Sequence, residues 1–284
     1  MTVAEHWPAL ASLLDHYRAA PPRAGSLIVT AYGDAIAPRG GEAALPALLL
    51  LMQRMGVADG VVRTAVSRLC ADGWLDRMRI GRTSFYRLGP RGTLEVAAAA
   101  DRIYGQLSRP WNGRLRVVIA DSGADRSSLN KLGYALIAPG VLVAPDSAEI
   151  PDDTLQLLAA GEPDVLRAVA GRAWPLSVLG QAYAAFSLRF DRLASNAAQF
   201  PPLEAAAVRV LLTHEYRRIV LRDPHLPEPL LPDPWPGFEA RQLCAALYSA
   251  LAQASERWLD TVANRSGPLP RGPDPAARFS DGDR

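Results

Sequence analysis

The residues best suited to chemistry in this 284-residue chain are basic and hydroxylic, and they are concentrated in one short stretch. In GVVRTAVSRLCADG (60–73), a turn of ~3.6 residues puts Ala58, Val62, Ala65, Val66 and Leu69 on one arc. Gly60, Arg63, Thr64 and Ser67 centre on the opposite arc, with Arg68 beside them. Such a face can read nucleic acid: Arg pairs with guanine O6 and N7, Thr and Ser reach a base edge or a phosphate, and Gly permits close backbone approach. An ordinary amphipathic helix with a solvated face carries the same pattern, so the next segment matters. WLDRMRI and TSFYRL read as two short strands joined around Gly81-Arg82, which puts Arg77, Arg79 and Arg82 on or beside the tip of a hairpin. A hairpin so placed meets flanking phosphates or the minor groove. The expected assignment is base-edge contact for Arg63, Thr64 and Ser67, and phosphate contact for Arg68, Arg77, Arg79 and Arg82.

Charge distribution agrees. The chain carries a net +2, yet residues 1–92 hold 11 Arg against seven acidic residues, and residues 60–91 hold seven Arg against two Asp. A basic face gathered in one small segment points to a polyanionic partner. Catalytic patterns are missing: the chain has no GxSxG, HExxH, Walker loop or GxGxxG, and His6, His16, His214 and His225 are widely spaced. Cys70 and Cys244 lack CxxC spacing and read as reduced, packed thiols. The chain is therefore expected not to be an enzyme and to need no metal or cofactor.

No run reaches the roughly 18 apolar residues that span a bilayer, because Pro46 and the Gln53-Arg54 pair limit the richest stretch. The N-terminus carries Glu5 and His6 where a secretory signal would be basic and then apolar, so a cytoplasmic location is expected.

Elsewhere along the chain, Ser26 is a plausible N-cap for a helix LIVTAYGDAI ended by Pro38-Arg39-Gly40-Gly41, and a second helix runs through ALPALLLLMQRM to Gly56. Asp59 can cap the third helix, which Gly73 stops. Three short helices and a hairpin within about 65 residues make a winged helix-turn-helix pattern. A linker helix follows, near Pro90 to Leu107. After Pro110-Trp111, RLRVVIADS reads as a strand, SSLNKLGYAL as a helix and PGVLVAP as another strand, a small α+β unit. From Trp174 the pattern is helical, interrupted by PHLPEPLLPDPWPG, whose Leu226, Leu230, Leu231 and Trp235 call for burial in an ordered strap. The expected division is an N-terminal extension (1–24), a winged-helix DNA-binding domain (25–92), a linker helix (93–110), an α+β domain (111–172), a helical C-terminal domain (173–263) and a disordered tail (264–284).

Three blocks resemble the PaaX family of bacterial repressors. They are SLIVTAYGDAI with VVRTAVSRLCADGWLDRMRIGRTSFYRL; WNGRLRVVIAD with LGYALIAPGVLVAP; and AWPLSVLGQAYAAF with LLTHEYRRIVLRDPHLPEPLLPDPWPG and a helix ending in ERWL. The resemblance spans residues 25–260. It implies a homodimeric repressor with a ferredoxin-like middle domain, released from its operator by an acyl-CoA effector, phenylacetyl-CoA in the archetypal members. A two-fold dimer implies an inverted-repeat operator.

For that effector, His214, Arg218 and Arg222 stand one helical turn apart and can form a ridge for phosphates, with Tyr183, Tyr216 and Trp235 available for a ring. Alternatively, these arginines pair with Glu215, Asp191 or Asp223. A contrasting reading is a metal-dependent nuclease: the middle domain resembles CRISPR-associated endoribonucleases, and Asp121 falls at the end of the first strand, though one carboxylate makes a poor magnesium site.

Overall fold

The structure, a computed structural model, describes residues 6–105, 111–119, 129–130, 132–149 and 154–279. It is a mixed α+β chain forming two compact units. Among the described residues no helix is long and apolar enough to cross a membrane.

The larger unit combines residues within 6–105, 185–221 and 240–279. It opens with α1 (Pro8–Ala19), a helix within the stretch expected to be an extension. Leu10, Leu13, Leu14 and Tyr17 recur at helical spacing and are all buried. Next come α2 (Ala24–Ala31), a π-helical turn (Tyr32–Ile36) and a 3-10 turn (Ala37–Arg39). The helix thus begins two residues before Ser26, which caps nothing; Ser26 instead accepts from Arg217, whose Nη2 lies 2.7 Å from its hydroxyl.

Strand β1 (Glu42–Ala44) runs directly into α3 (Leu45–Arg54), and α4 spans Asp59–Ala71. Asp59 lies in the first turn of α4, where its carboxylate accepts from Gln53 at 2.7 Å, and Ala58 holds the cap position. Gly73, at φ +73°, closes α4: its amide bonds Cys70 O and that of Trp74 bonds Leu69 O, the paired pattern that a left-handed C′ glycine permits. Strands β2 (Leu75–Ile80) and β3 (Thr83–Leu88) follow at once, and the sheet order is β1-β3-β2, antiparallel. Gly81 at φ +58° holds the first central place of the two-residue turn between them, as a type II′ turn requires.

Helix α5 (Pro90–Tyr104) succeeds β3 after Gly89 alone. In the same unit lie α8 (Pro202–Val220) and most of α9 (Pro236–Leu259); α6 and α7 are described with the smaller unit. Helix α8 is buried nearly all round and packs on α2 and α3, so it shares a core with the N-terminal helices. An internal charge cluster ties these segments. Arg209 Nε donates to Asp34 at 2.8 Å, its Nη1 reaches Glu256 at 2.7 Å, and Tyr248 and Tyr104 hydroxyls donate to Asp34 at 2.7 and 2.8 Å. Burial alone would favour the neutral guanidine, but Asp34, with Tyr248 and Glu256, outweighs it and pushes the Arg209 pKa up.

The stretch from residue 264, expected to be a loose tail, is packed as far as it is described. A short hairpin joins β8 (Ala263–Asn264) to β9 (Gly267–Pro268), and a 3-10 turn covers Pro275–Phe279. Leu269 and Phe279 are buried, Arg39 donates to Pro270 O at 2.8 Å, and Arg278 reaches Asp34 at 3.3 Å. Two apolar anchors and one buried counter-charge outweigh the segment's Pro and Gly content.

The smaller unit comprises described residues within 111–184 and 222–239. Its strands β4 (Arg114–Ile119), β5 (Ala135–Ala138), β6 (Val141–Pro145) and β7 (Leu155–Ala160) form an antiparallel sheet in the order β5-β6-β4-β7. Val118, Leu129, Tyr134 and Leu142 centre its core. Helix α6 (Pro163–Ala173) and the first part of α7 (Leu176–Phe190) complete it. The proline strap is ordered: its 3-10 turn, Glu228–Leu230, packs on α6, and Leu226, Leu230, Leu231 and Trp235 are buried. Asp121 lies outside the described residues, as do 106–110 of the expected linker helix.

Candidate nucleic-acid interface

Helix α4 turns Val62 and Val66 into the core and leaves Gly60, Arg63, Thr64, Ser67 and Arg68 on its outer side, as its helical spacing requires. These outward residues form two ridges. Arg63 and Ser67, with half-buried Cys70 one turn further, face the hairpin; Gly60, Thr64 and Arg68 form the outer ridge. Thr64 Oγ1 donates to Gly60 O at 2.9 Å, which fixes its hydroxyl along the helix.

Strand periodicity does the corresponding work on the hairpin. Residues 75, 77 and 79 share a face with 84, 86 and 88, so Arg77 stands opposite Tyr86 and Arg79 opposite Ser84. That face looks across to α4 and the start of α3, enclosing a groove of about 570 Å³. Its basic lining is Arg63, Arg77, Arg79 and Arg82; Ser67, Thr83 and Ser84 add hydroxyls, Leu45, Pro46 and Leu49 an apolar floor, and among the described residues no acid takes part. Arg77 donates from Nη2 and Nε to Ser84 Oγ at 2.9 and 3.2 Å, and Arg79 Nε to Gly81 O at 3.1 Å. None of Arg63, Arg68, Arg77, Arg79 and Arg82 has an ion pair among the described residues. The one acid on the strands, Asp76, lies on the opposite face and pairs with Arg87 at 3.4 Å.

The groove thus gathers five of the seven residues that the sequence points to, while Thr64 and Arg68 stand on the outer ridge. Thr83, Ser84 and Tyr86 join them without a sequence expectation; the cross-strand register that pairs Ser84 with Arg79 was the available signal. Cys70 lines the groove too, and burial pushes its thiol pKa up, with Arg77 opposing, so it is no ready nucleophile. Among the described residues no group of three His, Cys, Asp or Glu could hold a metal ion.

The residues expected to hold an effector are distributed over both units. In the larger, His214 is enclosed: its Nδ1 lies 3.2 Å from Thr30 Oγ1, and because that hydroxyl donates to Ser26 O, the imidazole donates to it. Burial, reinforced by Arg217 and Arg218, lowers the His214 pKa to about 3, so it is uncharged at neutral pH. Tyr216 is buried beside Phe186 and Phe279. Arg218 is exposed and lies 3.5 Å from Glu215. In the smaller unit Arg222 is exposed, Tyr183 donates to Asp223 at 2.8 Å, and Trp235 packs edge-on against Tyr183 at 5.8 Å. Along α8, then, His214 is covered and Arg218 exposed. Residue spacing marks a ridge without saying which side of the helix is covered; His214 falls on the covered side, and α8 ends at Val220, before Arg222.

Comparison with known proteins agrees with the sequence resemblance. Residues 23–92 match the family profile described as PaaX-like protein, and residues 174–261 match PaaX-like protein C-terminal domain. The transcriptional repressor PaaX of Escherichia coli K12 is 34% identical over 290 aligned residues, covering 92% of this chain and 91% of the repressor. A solved structure, the uncharacterized protein Rv0674 of Mycobacterium tuberculosis, is similar with a TM-score of 0.51 at 25% identity, over 76% of this chain and 91% of its own. By sequence along nearly its whole length, this chain belongs to the PaaX family.

Proposed function

We propose that this protein is a cytoplasmic, DNA-binding transcriptional repressor that grips duplex DNA with a winged-helix module. It is a regulator and not an enzyme, like the repressor it resembles. In this reading α4 is the recognition helix, Arg63, Thr64 and Ser67 meet base edges, and Arg68, Arg77, Arg79 and Arg82 hold phosphates. The observation that carries the proposal is the groove between α4 and the hairpin, where four arginines converge with no acid among the described residues to neutralise them. Unpaired cations gathered on one face are what releases counterions from a phosphate backbone.

The finer reading adds a homodimer on an inverted repeat, a ferredoxin-like smaller unit, and release by an acyl-CoA such as phenylacetyl-CoA. The sheet order β5-β6-β4-β7 supports the ferredoxin-like description. The effector candidates fall in both units, His214, Tyr216 and Arg218 in the larger and Tyr183, Arg222 and Trp235 in the smaller, and each is to be tested by itself. The deciding experiment is a fluorescence-anisotropy titration of the full chain against its own upstream intergenic DNA, over a range of salt, with and without phenylacetyl-CoA. Salt-sensitive binding to an inverted repeat, abolished by the thioester, is the expected result. Binding indifferent to the thioester removes that effector, and failure to bind any promoter fragment removes the DNA reading.

A further inference from the structure

A second concavity in the larger unit lies away from the arginine groove, between α2, α5 and α8, with a volume of about 880 Å³. That is within the roughly 300–1,000 Å³ of small-molecule sites. Its walls are mostly apolar: Val29 from α2, Val96 and Ala100 from α5, and Leu221 just after α8. The sequence explains the space. Helix α5 carries Ala97 through Ala100 in an unbroken run, so after Val96, which a Cβ on Gly33 would meet at 3.1 Å, the side chains are too short to fill it.

One end of this cleft is polar and incompletely satisfied. Thr213 and Arg217 stand one turn apart on α8 and both line it. Thr213 is 2% exposed, and its hydroxyl has no hydrogen-bond partner among the described residues. Arg217 uses Nη2 on Ser26, at 2.7 and 3.1 Å, yet its buried Nε has no partner and no carboxylate stands within ion-pair distance among the described residues. Burial lowers its pKa, against Tyr104, so its charge is held without compensation. The acids on the lining do not supply it: Asp34 is taken by Arg209, and Glu95 and Asp101 are exposed on α5. Buried donors are normally satisfied in native proteins, and two neighbouring exceptions at the end of an apolar cleft call for an acceptor.

We propose that this cleft binds a small carboxylic acid with an apolar body, its carboxylate accepting from Arg217 Nε and Thr213 Oγ1 and its hydrocarbon lying along Val29, Val96 and Ala100. The site is distinct from the thioester candidates Arg218 and Arg222, and binding to it does not depend on the DNA-binding reading. Charge assistance from Arg217 makes the carboxylate preferred over any neutral isostere.

The test is isothermal titration calorimetry of the full chain with 2-naphthylacetate and, in parallel, its neutral primary amide. Saturable one-to-one binding is expected, with the acid at least tenfold tighter than the amide. Arg217→Gln should remove that preference by weakening the acid tenfold or more, while Ala100→Trp, which fills the cleft and leaves the polar end untouched, should abolish binding of both. Circular dichroism of each variant confirms that it is folded; should Arg217→Gln fail to fold, Thr213→Val reports on the polar end, with a several-fold loss for the acid. Absence of binding at millimolar acid, equal affinity for acid and amide, or a folded Ala100→Trp variant that binds as wild type would each overturn the proposal.

Discussion

Two groups of arginines in the larger unit are built from the same side chain and treated in opposite ways. Arg39 and Arg209 are 2% exposed and surrounded by acceptors: Arg209 meets Asp34, Glu256, Ser255 and Tyr248, and Arg39 meets Glu256 and Asp260 at 2.8 and 2.5 Å. Arg63, Arg77, Arg79 and Arg82 line an open groove where, among the described residues, hydroxyls and a backbone carbonyl are the fixed partners. Arg39 and Arg209 are neutralised because an unpaired buried charge is costly, whereas the groove arginines can stay uncompensated because water solvates them, which leaves them open to the polyanion proposed above.

Removing the interior partner should give the largest effect. Asp34→Ala leaves Arg209 with Glu256 as its one carboxylate partner among the described residues and takes the acceptor from the Tyr104 and Tyr248 hydroxyls, and is expected to cost about 3–5 kcal/mol in chemical denaturation, whereas the paired replacement Asp34→Leu with Arg209→Met should recover part of it. If the single variant is as stable as wild type, the cluster does not act as described. On the groove, Arg63→Ala should leave stability within about 0.5 kcal/mol. It should weaken the preferred operator by about 1–3 kcal/mol and relax its base preference. Unchanged affinity and selectivity would remove Arg63 from base readout.

His214 extends the interior side of the comparison. Its folded pKa of about 3 lies below the ordinary 6.5, so between these values the unfolded chain binds the extra proton and stability falls as pH falls. The contribution is bounded by about 1.4 kcal/mol per pH unit, and His214→Gln should flatten the stability profile across that window. An identical profile in the variant would show that the imidazole is not held neutral. The smallest effect belongs to the hairpin tip. Arg82→Ala should reduce binding to all sequences alike and make the slope of log affinity against log salt shallower by about 0.9, the share of one neutralised phosphate, read from anisotropy at several salt concentrations. A slope equal to that of wild type would take Arg82 off the phosphate backbone.

The basic groove was legible in the sequence because both of its periodicities are local. Helical spacing alone exposes Arg63, Thr64 and Ser67, and strand alternation with Gly81 at the turn sets Arg77 and Arg79 on one face. What escaped was decided by distant partners. Ser26 has the type of a helix cap, but its hydroxyl serves Arg217, 191 residues away. Strand β1 is three residues, too short for alternation to show, and exists because β3 pairs with it. His214 and Arg218 share spacing but not surroundings, since α8 is enclosed by elements from both ends of the chain. The terminal segment differs from expectation for the same reason: composition describes a segment's own capacity to bury itself, not the Asp34 carboxylate that receives Arg278. Helix α1 is a different case, since its leucines and tyrosine stand at helical spacing and carry a local signal that the expected extension did not use.

The Asp34 cluster has a consequence for synthesis. Asp34 is translated early, but its guanidinium partner lies 175 residues further along and the Tyr248 hydroxyl 214 residues further. At ribosomal rates of about 5–20 residues per second, the carboxylate waits roughly 10–35 s for Arg209. During that interval the carboxylate lacks its guanidinium partner, so the basic groove is translated before the charge cluster within its unit is complete.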